Sequence, residues 1–449
     1  MRCTTKLFKV NTFNNSKVLL PAFFLLVLSA CKKDISETQF QKDQSPAPIQ
    51  QAGAADKKDN TKKVFVTNAA QLYASINDPA NEGSTLVLSP GTYLLNPNHP
   101  NAGRLELQRN MSLIGQPGNA GAVIIDVSGL PPASYVIPPT ATYPVQLRTG
   151  PIRIGNGYNA IEWMTFINSN PANLLRSVIQ TDIVSKSNPT DAAPSAQIRI
   201  AHTKISGGSI GLNILNRDAV SDNRVIAAEV ENNEIFNNTQ PQVGSGVQIQ
   251  NSQGVKGGLI NVTLQGNYIH GNRQGLDLFN SSNREANSII VRSGFDRLEE
   301  NGVGLVLNGG LNTVGGAAIV TGNSIQFETK HTSIQNNGST PAPLHNYIAG
   351  GVFISGGTVG RLGANTGQPG TVNNNNVAAT FKNCRIENNV GAYQINAFGA
   401  YSSLLSPLAA GKHNNAVVTL LGSNKKIPVN AVPSYPVEPA GTNTIRVYN

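Results

Sequence analysis

The sequence predicts an all-β solenoid, a chain wound into coils whose short strands stack one above another. Three observations predict it. A nine-residue frame recurs: 230–238 reads V-E-N-N-E-I-F-N-N, 264–272 reads L-Q-G-N-Y-I-H-G-N and 381–389 reads F-K-N-C-R-I-E-N-N. Segments 200–208 and 161–169 fit the same frame, and two looser copies begin at Val291 and Phe327, each with about two residues inserted. A second element, G-apolar-x-apolar, follows each copy at 211–216, 246–251, 275–280, 304–308, 351–355 and 391–396, ending at or near Asn or Ser. Composition is the third observation. Only 13% of residues are charged, 6% are aromatic and Gly numbers 44, too little charge for a disordered chain and too much Gly for long helices.

These patterns have one physical solution. Four to six residues of period-two alternation, broken by Asn and Gly, are strands. One unit cannot bury its own apolar face, but a neighbour stacked about 4.8 Å above it can. Asn tolerates the left-handed turn, and its side chain can hydrogen-bond the coil above. On the repeated frame, its asparagines and the S-P-G-T-Y turn at 89–93, the chain resembles the right-handed parallel β-helix family, the pectate-lyase-like fold with internal asparagine ladders. The resemblance covers about Val64 to Val429. It implies an all-β, right-handed parallel β-helix solenoid with a short N-terminal capping helix, growing by coils and so needing no second core at 449 residues.

Taken in order, residues 1–30 read as a targeting segment. Lys6, Lys9 and Lys17 precede an apolar run at 18–30, too short to span a bilayer. It ends in L-S-A-C, which resembles the lipobox of bacterial lipoproteins, in which the Cys, here Cys31, is lipidated and becomes the mature N-terminus. Lys32, Lys33 and Asp34 follow, a partial match to surface-export signals. Durable anchoring needs two or more acyl chains, so an outer-membrane protein on the periplasmic or cell-surface side is expected. Residues 31–62 are rich in Gln, Asp, Lys, Pro and Ala and read as a tether. Residues 68–78 carry an N-cap at Asn68, Gln71 three on, apolar Ala69, Leu72, Tyr73 and Ile76, and a stop at Pro79. That is a helix capping the open end of the solenoid. The opening coils follow at 85–95, 104–108, 112–115 and 122–127, and projecting loops are expected at 129–151, 187–195, 337–347 and 363–376. The β-helix domain is set at 63–430 and a C-terminal tail at 431–449, with the strands at 416–421 and 444–447 closing that end.

The familiar catalytic signatures are missing. There is no P-loop, no C-x-x-C and no H-E-x-x-H. The net charge of +9 without aromatic-interleaved basic runs speaks against nucleic acid. Cys384 holds position four of its frame, where other copies carry Asn, and reads as a buried structural thiol; no disulfide framework is possible. His202 and His270 fall roughly 15 Å apart by coil and residue spacing and cannot share a metal ion. Equal frame positions stack, which puts Lys204 and Glu234 about 5 Å apart with Tyr268 next and His270 two residues along on the same outward face. Abstracting a proton from a uronic sugar needs a base, an acid and a cation that neutralises the carboxylate. Tyr268 or His270 fits base or acid, Lys204 the neutraliser, and Arg273 a sugar-carboxylate clamp; the plain alternative is a surface ion pair among solvated polar columns.

Lyases of the resembled fold often hold calcium with several Asp residues and use an Arg or Lys base. Neither that pattern nor the Asp groups of polygalacturonase-like hydrolases is present here, and no cofactor is evident. Calcium remains open, without a ligand cluster. Glu231 and Glu234 should face different sides, which disfavours a two-carboxylate glycosidase. Three readings stand: a lipid-anchored protein binding polysaccharide, acidic ones included, along its flank; a polysaccharide lyase or other carbohydrate-active enzyme with an unfamiliar site; and a structural or adhesive surface protein. The chain is expected to be a monomer that meets the membrane only through its lipid.

Overall fold

Residues 225–231, V-I-A-A-E-V-E, show how one coil is made. Ile226, Ala228 and Val230 turn inward and are buried, and Glu229 faces out. Asn232 then takes φ 54°, a left-handed corner open to few residues besides Asn and Gly. The strand Glu234–Phe236 follows, with only Ile235 inward. Asn237 makes a second left-handed corner at φ 53°, and Ser245–Asn251 closes the circuit. Repeating this circuit gives three long parallel sheets, here the first, second and third, of 12, 9 and 10 strands. The computed structural model describes residues 62–449 except 132–134, 138–145, 149, 155–156, 171–176, 182–195, 217–222, 240–243, 253, 313–318, 340–349, 360–369, 403–409 and 436–441. Cys31, the targeting segment, nearly all of the tether and the expected loop at 187–195 lie outside the described residues.

The fold is the expected all-β, right-handed parallel β-helix. Ile205, Ile235, Ile269 and Ile386 are at most 5% exposed and share one core cluster. At the corners, buried asparagines link the coils. Position four stacks Thr203, Asn233, Asn267 and Asp296, and position nine stacks Asn238, Asn272, Asn301, Asn337 and Asn389. A third ladder, before the first sheet, runs Asn287, Asn323, Asn375, Asn414, Asn443. Within a ladder an Oδ1 accepts the backbone N–H of the ladder residue one coil before and also its Nδ2–H, or the Oγ1–H where that residue is Thr203, so these buried polar groups are satisfied. The ladder also explains the glycine of G-apolar-x-apolar. A Cβ on Gly211, Gly246, Gly275, Gly304 or Gly351 would stand 2.6–2.9 Å from a position-nine amide nitrogen. Where that glycine is lost, Gln394 takes over and its Oε1 accepts from Asn389 at 2.8 Å.

The cap helix spans Ala69–Asn77, with Asn68 accepting from the Gln71 N–H and Leu72, Tyr73 and Ile76 buried. The looser copies need no insertion. Val230 and Leu264 pair in register with Ser293 and Thr329, so the frame begins there, not at Val291 and Phe327. Polar side chains hold the apolar first position because they are buried in pairs: Ser293 donates to Asp296 at 2.6 Å and Thr329 to Thr332 at 2.7 Å. Cys384 is buried and free, its Sγ 3.5 Å from the Lys382 carbonyl. Inside the expected loop at 129–151, Tyr135–Ile137 and Gln146–Arg148 pair antiparallel. Asn337 and Asn375 belong to ladders, not loops, and Thr371–Asn373 joins a small parallel sheet. Stacking continues past residue 430, since Val429–Tyr435 extends the third sheet and Thr444–Tyr448 the first.

Candidate functional site

The second sheet allows three residues per coil, so the two beside the inward one must point out. Lys204, Glu234, Tyr268, Arg297, Ser333 and Arg385 stack at position five, with His270, Glu299 and Glu387 among the residues of position seven. The expected neighbours therefore meet. Lys204 Nζ lies 2.8 Å from Glu234 Oε2, and His270 Nε2 lies 3.4 Å from Glu234 Oε1. The Tyr268 and His270 rings stack at 4.0 Å, Phe236 lies parallel to His270 at 5.3 Å, and the Arg297 guanidinium sits 4.1 Å over the Tyr268 ring. Arg297 pairs with Glu299 at 2.7 Å, Ser333 donates to Glu299, and Arg385 pairs with Glu387 at 2.6 Å. An open pocket of about 560 Å³ lies over Arg297, Glu299, Ser333 and Arg385. Arg273 does not join this strip. It follows the position-nine ladder, and its Nε donates to the Thr239 carbonyl at 3.1 Å.

Electrostatics separates these groups by role. The Lys204 ammonium holds the Glu234 carboxyl below its ordinary value against the burial that raises it, with His270 adding to the effect. Burial pushes the Tyr268 phenol up, with Arg297 pulling the other way. Glu234 is thus an ionised acceptor and Tyr268 a neutral hydroxyl donor at pH 7. Glu231 faces another way, its Oε2 2.6 Å from Arg199, which also meets Glu162 and Glu229 on the first sheet.

A second polar column went unread in the sequence. On the outer face of the third sheet, Glu106, Arg153, Gln180, Asn213, Gln248 and Asp277 follow in register, then Val306 and Phe353. Although it faces outward, Asp277 is 3% exposed. Gln248 and Ser245 donate to its Oδ2 at 3.2 and 3.4 Å, and Oδ1 has no partner among the described residues. Burial pushes its carboxyl up to about 7, against those hydrogen bonds. The signal was the x of G-apolar-x-apolar, polar at Asn213, Gln248 and Asp277; alternation alone assigns such a residue to solvent. Among the described residues no three His, Cys, Asp or Glu side chains group closely enough to hold a metal.

A scan against protein-family models finds no match, and a search of curated proteins finds none either. Among solved structures the chain is similar to the A-module of a mannuronan C-5 epimerase from Azotobacter vinelandii, at 12% identity over 86% of this chain and 95% of that one, with a TM-score of 0.44. It is also similar to a pectate lyase, at 12% identity over 86% and 82% with a TM-score of 0.37. A second Azotobacter vinelandii epimerase A-module gives 15% identity over 85% and 91% with a TM-score of 0.32. These are distant likenesses of fold. The site is read from its own residues: a strip of paired charges around a stacked aromatic core and, apart from it, the buried Asp277 carboxyl beside Gln248 and Ser245.

Proposed function

We propose that this protein binds an acidic polysaccharide along the outer face of its second sheet. The observation that carries the reading is the Phe236–His270–Tyr268–Arg297 stack, set in parallel register between Lys204 and Arg385. Stacked rings on adjacent coils, with cations two or three coils apart at Lys204, Arg297 and Arg385, present both the apolar surface and the charge that a uronic-acid chain offers in complement. Affinity electrophoresis through alginate, pectate or hyaluronan tests it: retardation by an acidic glycan is expected, and free migration in all three would overturn it.

One observation favours a second reading, a lyase or other carbohydrate-active enzyme. Burial pushes the Asp277 carboxyl up to about 7, in the range that suits a proton-transferring carboxyl. Ultraviolet absorbance from unsaturated sugar ends, lost in Asp277→Asn, supports that reading; flat absorbance with retained binding leaves the first. We further propose, on the lipobox-like L-S-A-C, that lipid on Cys31 anchors the protein to the outer membrane; radiolabelled palmitate incorporation that disappears in Cys31→Ser is the expected result, and labelling that persists in Cys31→Ser would overturn it.

A further inference from the structure

From Trp163 to Gly422, the corner between the first and second sheets is a left-handed turn in each coil of the column that contains Asn232. Each corner residue's N–H donates to the carbonyl just before the corner of the next coil, Trp163 to Ala201, His202 to Glu231, Asn232 to Gln265, Gly266 to Gly294, Phe295 to Lys330 and His331 to Lys382. A left-handed residue is cheapest as Gly or Asn, and Asn232 at φ 54°, Gly266 at 67° and Asn383 at 52° are so. Trp163, His202, Phe295 and His331 hold rings there instead, at φ 55–60°. The rings stack in pairs, Trp163 on His202 at 3.9 Å and 8°, Phe295 on His331 at 5.1 Å and 19°. Phe295 is 56% exposed, so its ring gains little from the core. A large side chain held in a strained conformation while more than half exposed, as Phe295 is, is accounted for by what it meets outside.

We infer that the two ring pairs at this corner are stacking subsites for pyranose rings of a polysaccharide lying along the solenoid axis. Pyranose offers a flat C–H face ringed by hydroxyls, and an aromatic face flanked by hydrogen-bonding groups complements it. The flanks are present. Glu231 and Lys330 end first-sheet strands on one side of the corner, and Lys204 and Arg297 begin second-sheet strands on the other. Four coils separate Trp163 from Phe295, roughly 19 Å at 4.8 Å per coil, so one sugar cannot touch both pairs. A chain long enough to reach both gains the second contact intramolecularly, and binds more tightly than a disaccharide by about 100-fold. This deepens the binding reading and rests on it, since the corner borders the strip.

Trp163 is the sole tryptophan, so its emission reports this corner alone. The experiment titrates the full chain with alginate, pectate, hyaluronan and a neutral β-glucan, following Trp163 fluorescence and, separately, retardation in glycan-containing gels. Trp163→Asn and Phe295→Asn are the variants, because Asn already fills this turn in neighbouring coils; their melting temperatures should equal or exceed that of the unmodified chain. The expected result is that a retarding glycan shifts Trp163 emission and that each variant binds it about 10-fold more weakly. Retardation with unchanged emission and unaltered affinity in both variants overturns the corner inference and leaves the binding reading standing. Retardation by none of the four glycans overturns both.

Discussion

Asn272 carries the backbone and side chain of one coil into the next. Its Oδ1 accepts from Asn238 N and Nδ2 at 3.0 and 3.1 Å, and its own N and Nδ2 donate to Asn301 Oδ1. Asn272→Ala leaves buried N–H groups on Asn238 without an acceptor, and should cost about 2–4 kcal/mol of stability in urea unfolding. A loss under about 0.5 kcal/mol, the range of ordinary surface changes, contradicts that role. Asp277 acts in the opposite direction, because burial disfavours its charge. Its folded value of about 7 lies above that of the unfolded chain. Its contribution is therefore whole below about pH 4, where an unfolded Asp is also protonated, and is lost as the pH rises to about 7, by roughly 4 kcal/mol at most. Asp296, raised by burial as well, shares the sign. Melting curves from pH 4 to 8 should show Asp277→Asn with a flatter decline than the unmodified chain; an identical slope contradicts the assignment.

At the scale of the element, the second-sheet strand is short enough that sequence spacing alone decides which side chains meet. The meeting of Lys204, Glu234, Tyr268 and His270 was legible for that reason. Arg273 was misplaced because it follows a ladder residue, where the chain leaves the strand and the alternation no longer applies. The third sheet resisted reading for a different cause. Its strand Ser245–Asn251 is buried on both faces, so the rule that polar residues alternate toward water fails there, and Asp277 was passed over. The looser copies show the same limit: buried Ser293 and Thr329 look like breaks in an apolar frame until their hydroxyl partners are known. Within the strip, Glu234→Gln removes the carboxylate that occupies Lys204. Both groups are part exposed, so stability should move by less than about 1 kcal/mol. Affinity for an acidic glycan should rise by about 3-fold as Lys204 is freed, measured by titration in low salt. A fall in affinity contradicts the view that Glu234 competes with the ligand.

For the whole molecule, the inward isoleucines and the corner asparagines are legible in the repeated frame, because most coils solve the same burial problem in the same way. Chemistry is not repeated from coil to coil, and this left the corner rings and the third-sheet carboxyl without a periodic signal. The architecture supplies three outer faces of distinct character: an ion-paired first sheet, a second sheet with stacked rings and cations, and a buried third. The proposed glycan site lies on the second. Its most direct test is the affinity of the retarding acidic glycan for the double variant Tyr268→Ala/Arg297→Ala, set beside Arg292→Ala on the outer face of the first sheet. The expected result is a loss of about 30-fold or more for the double variant and a change within about 2-fold for Arg292→Ala. Equal losses in the two would place binding in the overall charge and contradict it.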